Sequence, residues 1–247
     1  MPPDGHWENY RLLLFDGVQQ LANVTLDQDA VNFTFPATQL TPGKLYRAVL
    51  RVESGGLSTE VAARDQQFLL RSVLNLHIRH SDETSLSAMW SHAPLGLRDG
   101  YFLTIRHGSY QDTREVDPNM RECTFNVLTP GRPYIINVAT RSGQLNTSVS
   151  VKGRTVPLAL RSLSLSSSSS DSLQASWEKP PGDMDSYTLI LLQDSVMIQN
   201  YSVPVGSSSL LLSGLTPGAL YRLQAATVSG GVVSMTTSVD ARTSEAL

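Results

Sequence analysis

The sequence holds one cysteine, Cys123, in 247 residues. That excludes a disulfide framework within the chain and any cysteine-based metal cage. Long apolar runs are absent as well. The longest are four or five residues, far short of the roughly 20 that a membrane-crossing helix needs. The opening Met1-Pro2-Pro3-Asp4-Gly5-His6 has neither a basic n-region nor an apolar h-region, so no signal peptide is expected in this segment. No excess of one charge stands out: the net charge is −3, which gives no reason to expect nucleic acid or an acidic membrane as partner. With 40% hydrophobic and 17% charged residues, the composition excludes a disordered chain and leaves a soluble, multidomain globular protein.

What is present is a repeat. Leu-Thr-Pro-Gly occurs at Leu40, Leu128 and Leu215, with spacings of 88 and 87 residues, a domain-sized period. Each copy continues into Tyr46, Tyr134 or Tyr221 and then alternates apolar with polar: Tyr46, Ala48, Leu50; Tyr134, Ile136, Val138; Tyr221, Leu223, Ala225. Period two on one face reads as a half-buried strand. Each strand runs into Ser-Gly, at Ser54, Ser142 and Ser229, where glycine supplies the positive φ of a hairpin turn. Two copies carry a tryptophan, Trp90 and Trp177, 38 residues before the Leu-Thr-Pro-Gly leucine, then a Pro/Gly loop and a strand opening with Tyr101 or Tyr187. Short strands, regular turns and no helical period predict an all-β chain of tandem β-sandwiches, with units 1–68, 69–157 and 158–247. Linkers are expected near Arg64–Phe68 and Thr155–Pro157, and Ser166–Ser170 as a polar turn between strands.

These residues resemble fibronectin type III domains: a strand-B tryptophan, Leu-x-Pro-Gly-x-x-Tyr leading into strand F, and a period near 90 residues. The resemblance implies an immunoglobulin-like sandwich in which Tyr46, Tyr134 and Tyr221 form a "tyrosine corner" with backbone upstream. Gly182-Asp183-Met184-Asp185-Ser186-Tyr187, Arg121-Glu122-Cys123-Thr124-Phe125 and Gly153-Arg154-Thr155-Val156-Pro157 are similar to ectodomain repeats of R3-subfamily receptor protein tyrosine phosphatases, of the vascular endothelial (beta) or osteotesticular type. The middle copy departs from this pattern with Leu97-Arg98-Asp99-Gly100-Tyr101. Tyr10 aligns with Tyr101 and Tyr187, yet only nine residues precede it. The first copy is therefore expected to lack strands A and B and to retain, of the opposing sheet, only an E strand with Phe33 and Phe35. A start of this kind suggests a fragment of a longer protein.

Chemistry is sparse. Cys123 is followed by Thr-Phe-Asn-Val-Leu-Thr, not by a phosphate-cradling loop with arginine six residues on, and it reads as a small core residue. His6, His77, His80, His92 and His107 show no metal spacing, and three apart on a strand would put His77 and His80 on opposite faces. No Gly-x-Ser-x-Gly elbow occurs, and Asp183 and Asp185 read as turn-formers. The chain is expected to be no enzyme and to take no cofactor or metal. Four Asn-x-Ser/Thr sequons, at Asn23, Asn32, Asn146 and Asn200, are candidate glycosylation sites. Asn23 and Asn200 each lie 13 residues after the strand-opening tyrosine, at an expected C′ edge, where Arg114 takes the equivalent place in the middle copy. By unit the charge runs −3, +3, −3, and the middle copy offers Arg98, Arg106, Arg114, Arg132 and Arg141 as candidate polyanion contacts, dispersed among acids.

The reading is a non-catalytic extracellular segment of a receptor-like protein, a spacer and protein-interaction array whose partner is an extracellular or cell-surface protein. Its expected place is outside the plasma membrane, within a longer single-pass receptor, with no insertion of this segment into the bilayer. The alternative is an adhesion or glycosaminoglycan-binding module centred on the basic middle unit.

Overall fold

The structure is a computed structural model, which describes residues 7–246. The three copies of the sequence repeat fold as three successive antiparallel units. In the first, β1 (Asn9–Asp16), β2 (Gln19–Leu26), β3 (Leu45–Ser54) and β4 (Leu57–Gln67) make one sheet in the order β2-β1-β3-β4. In the second, β5 (Leu74–Ser81), β6 (Leu86–Ser91), β7 (Gly100–His107), β8 (Tyr110–Val116), β9 (Glu122–Phe125), β10 (Pro133–Ser142) and β11 (Leu145–Arg154) form two sheets, β5-β6-β9 and β11-β10-β7-β8. The third repeats this plan with β12 (Arg161–Ser167), β13 (Ser172–Glu178), β14 (Ser186–Gln193), β15 (Val196–Pro204), β16 (Ser209–Ser213), β17 (Leu220–Ser229), β18 (Val232–Val233) and β19 (Thr237–Arg242). Its sheets are β12-β13-β16 and β15-β14-β17, the latter extended by β18 and β19 along β17.

The period-two residues meet between the sheets. Trp90 packs edge-on against Tyr101 and Trp177 against Tyr187, each with ring centroids 5.5 Å apart, a geometry aromatic pairs favour. Around them Leu86, Leu103, Ile105 and Ile136, or Leu173, Leu189, Leu191 and Leu223, are fully buried. Cys123 lies beside Phe125 on β9, and burial pushes its thiol pKa up, away from reactivity.

Four expectations need correcting. Residues 31–36 form no E strand: Phe33 and Phe35 lie in coil, packed edge-on to one another, ahead of a single 3-10 turn at Ala37–Gln39. Without neighbouring A and B strands among the described residues, that segment has no ladder to join. On the face that the E strand would have covered, Leu12 and Leu50 stay only half-buried although Leu14 and Tyr46 are buried, while Leu13 and Val49, directly paired on the other face, are 4% exposed. Second, Arg64–Gln67 belong to β4, so the first linker begins only at Phe68. Third, Ser166 and Ser167 end β12, leaving Ser168–Asp171 as the turn. Fourth, His77 and His80 share a face. A bulge at Arg79 sets them opposite Met89 and Ser87, and both are exposed. Among the described residues no three His, Cys, Asp or Glu side chains gather as a metal set, and no helix is long and apolar enough to cross a membrane.

Candidate functional site at the repeat joints

The Leu-Thr-Pro-Gly turn is the fixed point from which one repeat reaches the next. In each copy the tyrosine hydroxyl accepts the turn threonine's N–H: Thr41 to Tyr46 at 2.7 Å, Thr129 to Tyr134 at 3.0 Å and Thr216 to Tyr221 at 2.8 Å. Leu128 and Leu215 are buried beneath their turns. The proline and glycine that follow are thereby held outward.

At the joint between the second and third repeats, Pro130 O accepts the N–H of Asp183 at 2.9 Å. Approach is close enough to demand glycine. A Cβ on Gly131 (φ +71°) would lie 1.9 Å from Asp183 O, and one on Gly182 would lie 2.7 Å from Pro130 O. Two arginines then cross the joint. Arg132 donates Nε and Nη2 to the two oxygens of Asp183, at 2.9 and 3.0 Å, the two-pronged geometry that guanidinium suits. Arg154 Nη1 donates to Gly131 O at 2.7 Å and to the Ser229 hydroxyl at 2.8 Å, while that hydroxyl donates to Gly131 O at 2.7 Å. Ser229 is buried there. The Arg132 hydrogen bond holds the Asp183 carboxyl below the usual carboxylate range, against the opposing effect of burial, and raises Arg132 in return.

The first joint has the same backbone skeleton with different side chains. Pro42 O accepts the Leu97 N–H at 3.0 Å, and Gln67 Nε2 donates to Gly43 O at 2.7 Å, where Arg154 serves in the second joint. A Cβ on Gly43 would lie 2.5 Å from Leu70 Cδ2. Leu97 stands where the next repeat has Asp183, and Lys44, the counterpart of Arg132, pairs instead with Asp16 of its own repeat. One joint is thus charged and the other apolar.

A second recurring contact escaped the sequence reading. Glu8, Asp99 and Asp185 each sit two residues before the strand-opening tyrosine, and their carboxylates accept the N–H of Gly55, Gly143 and Gly230 at the hairpin tips. The signal was available as an acidic residue at one repeat position in all three copies. Asp183 and Asp185, read as turn-formers, in fact hold the joint and the neighbouring hairpin.

The candidate polyanion arginines do not converge. Arg98 Nε donates to Pro118 O at 3.2 Å, Arg141 lies over the Phe102 ring at 4.3 Å, and Arg132 is engaged at the joint. Arg114 donates to Thr124 O at 2.6 Å and lies over Phe125. Arg106 and Arg141 are both exposed without an ion-pair or hydrogen-bond partner among the described residues, and of the two only Arg141 lies over a ring.

Asn23 and Asn200 lie exposed on the edge strands β2 and β15, paired with Leu13 and Ile190, the same position in two repeats. Arg114 does not take their place. β2 and β15 each carry a one-residue bulge that β8 lacks, so the equivalent residue is Thr113, opposite Thr104. Counting one residue too far along a strand lands on the other face. Asn32 is exposed in coil, and Asn146 is exposed on β11.

The fibronectin type III domain profile matches residues 71–154 and 158–242, more than two thirds of the chain. The chain belongs to the fibronectin type III family. It is 32% identical over 166 residues to receptor-type tyrosine-protein phosphatase V of Rattus norvegicus, covering 64% of this chain and 10% of that protein. To tenascin-R of Homo sapiens it is 25% identical over 210 residues, covering 83% of this chain and 15% of tenascin-R. A solved two-domain fibronectin type III segment of chicken tenascin superposes with a TM-score of 0.55 at 23% identity, over 69% of this chain and 98% of that segment, which shows the shared fold. Fibronectin type III domains are non-catalytic, and the relatives point to an adhesion or interaction role.

Proposed function

We propose that the chain is an extracellular segment of a receptor-like protein, a spacer and interaction array whose repeats are held at set orientations. The observation that carries this reading is the joint between the second and third repeats. There two arginines, a buried serine and the close-approach glycines Gly131 and Gly182 fix one sandwich on the next, in place of a free linker. A partner surface on one repeat is then displayed at a defined distance and angle from its neighbour. Any phosphatase activity belongs to a domain other than these repeats. Sugars on Asn23 and Asn200 would cover the two uncharged edge strands β2 and β15, keeping them from pairing with other chains, whereas β8 carries Asp112, Arg114 and Glu115.

The test is the orientation of the repeats in solution. Residual dipolar couplings or small-angle scattering on residues 1–247 should give one relative orientation of the second and third repeats, which Arg132→Ala with Arg154→Ala loosens. Independent tumbling of the two repeats in the unaltered chain would overturn the spacer reading.

A further inference from the structure

The outer face of the β11-β10-β7-β8 sheet can be read in rows across its four strands. Nearest the second joint stand Lys152, Ile135, Arg106 and Gln111. The next row is Ser150, Asn137, Thr104 and Thr113. Arg106 and Lys152 are both exposed, and neither has an ion-pair or hydrogen-bond partner among the described residues. They flank Ile135, two strand spacings or about 10 Å apart. His107 donates Nδ1–H to Pro133 O at 2.7 Å and packs edge-on against Tyr134, which leaves Nε2 as its free ring nitrogen. Arg106, His107, Pro133, Ile135 and Lys152 line a groove of about 480 Å³.

The sheet itself places no acid at this end of the face, and the carboxylate near His107, Asp183 of the next repeat, is taken up by Arg132. Glu115 appears only in the third row, and Asp112 lies on the other side of β8, beside Arg114. In the third repeat the same row neutralises itself. Arg222 replaces Ile135 and Asp240 replaces Lys152, joined by a two-pronged ion pair at 2.7 and 2.9 Å. In the first repeat Arg47 stands opposite Asp65 and pairs with Glu60. Uncompensated cations in this row are therefore peculiar to the second repeat.

We propose that this face binds an acidic polysaccharide, a sulfated glycan chain lying across the strands. At the backbone the two cations stand about 10 Å apart with Ile135 between them, a spacing that suits charges on successive parts of a chain. Between and beside them are the hydroxyls and amide of Ser150, Thr104, Thr113 and Asn137, groups that exchange hydrogen bonds with sugar hydroxyls. Ile135 and Pro133 offer apolar surface to the faces of sugar rings. The site goes beyond the spacer role and does not depend on it.

The test uses residues 1–247 with size-defined heparin oligosaccharides in titration calorimetry at several salt concentrations. Arg106→Ala with Lys152→Ala should weaken binding about tenfold and flatten its salt dependence, while Arg79→Ala with Arg161→Ala, the same change in net charge elsewhere, should alter it less than about twofold. Circular dichroism should be unchanged in both, since the four side chains are exposed. Equal loss in the two double variants, or none in the first, overturns the site. Desulfated heparin binding as tightly as heparin, or polyglutamate doing so, overturns the choice of a sulfated glycan.

Discussion

Arg132 and Asp183 belong to different sandwiches and meet as a two-pronged ion pair, with each carboxylate oxygen accepting one guanidinium N–H. About a third of each side chain remains exposed, so solvent screening limits the pair to roughly 1 kcal/mol. Its effect falls on orientation more than on folding. Asp183→Asn should leave the melting of both repeats nearly unchanged and broaden the distribution of distances between spin labels placed one on each repeat. The pH dependence has a definite sign. Asp183 has a lowered pKa in the folded chain, so its contribution is present above the ordinary carboxylate pKa and is lost as pH falls through its own lowered value. The joint should therefore hold through about pH 4, where exposed carboxylates protonate, and loosen only below it. Loosening on the alkaline side of neutrality would contradict this.

Two glycines at the same repeat position separate backbone strain from contact across the joint. Gly131 and Gly218 have φ of +71° and +68°, so alanine strains both alike, by about 1 kcal/mol. Only Gly131 faces another repeat, with Asp183 O in the way of a Cβ, whereas the nearest atom at Gly218 is Glu245 Cγ at 3.7 Å. Gly131→Ala should open the joint, seen as faster exchange of the Asp183 amide. Gly218→Ala should lower only the melting of the third repeat.

Tyr134→Phe and Tyr221→Phe should each destabilise their own repeat by roughly 1 kcal/mol, because a turn N–H loses its acceptor. Trp177→Ala should cost about 3–5 kcal/mol by emptying the centre of its core. Thermal melts of the variants check both, and three unchanged melts would refute the assigned register.

Residues 1–68 expressed alone should not melt cooperatively. Their sheet lacks an opposing layer among the described residues, and unburied apolar surface forfeits about 25 cal/mol per Å². Domain stability is only about 5–15 kcal/mol, so little is left. Rapid amide exchange and dye binding are the expected readouts, and slow exchange with a sharp melt would contradict this.

The sandwich was legible because it rests on local, repeating signals. Alternation on Tyr134, Ile136 and Val138, and the tryptophans ahead of Tyr101 and Tyr187, place one buried face each. The joint was not legible in the same way. Arg132 and Asp183 are 51 residues apart, and nothing in either neighbourhood sets it off from an ordinary surface arginine or a turn aspartate. Charge counting drew attention to the second repeat but could not tell which of its cations are already engaged. Arg98, Arg114 and Arg141 are taken up by carbonyls and rings, and Lys152, adjacent to Arg106 across one strand, was passed over. Strand pairing decides which charges share a face, and pairing is a long-range property.

The bulges in β2 and β15 give the repeat a way to change length without changing its faces. An extra residue there is absorbed as an unpaired step, at Leu21 in one strand and Ile198 in the other, and the residues beyond keep their partners. Single-residue insertions and deletions in this edge strand should therefore be tolerated where the same change in β10 or β17, paired on both sides, would turn a core inside out. The edge acts as a slack in the chain, taking up differences in period while the face beside it stays in register.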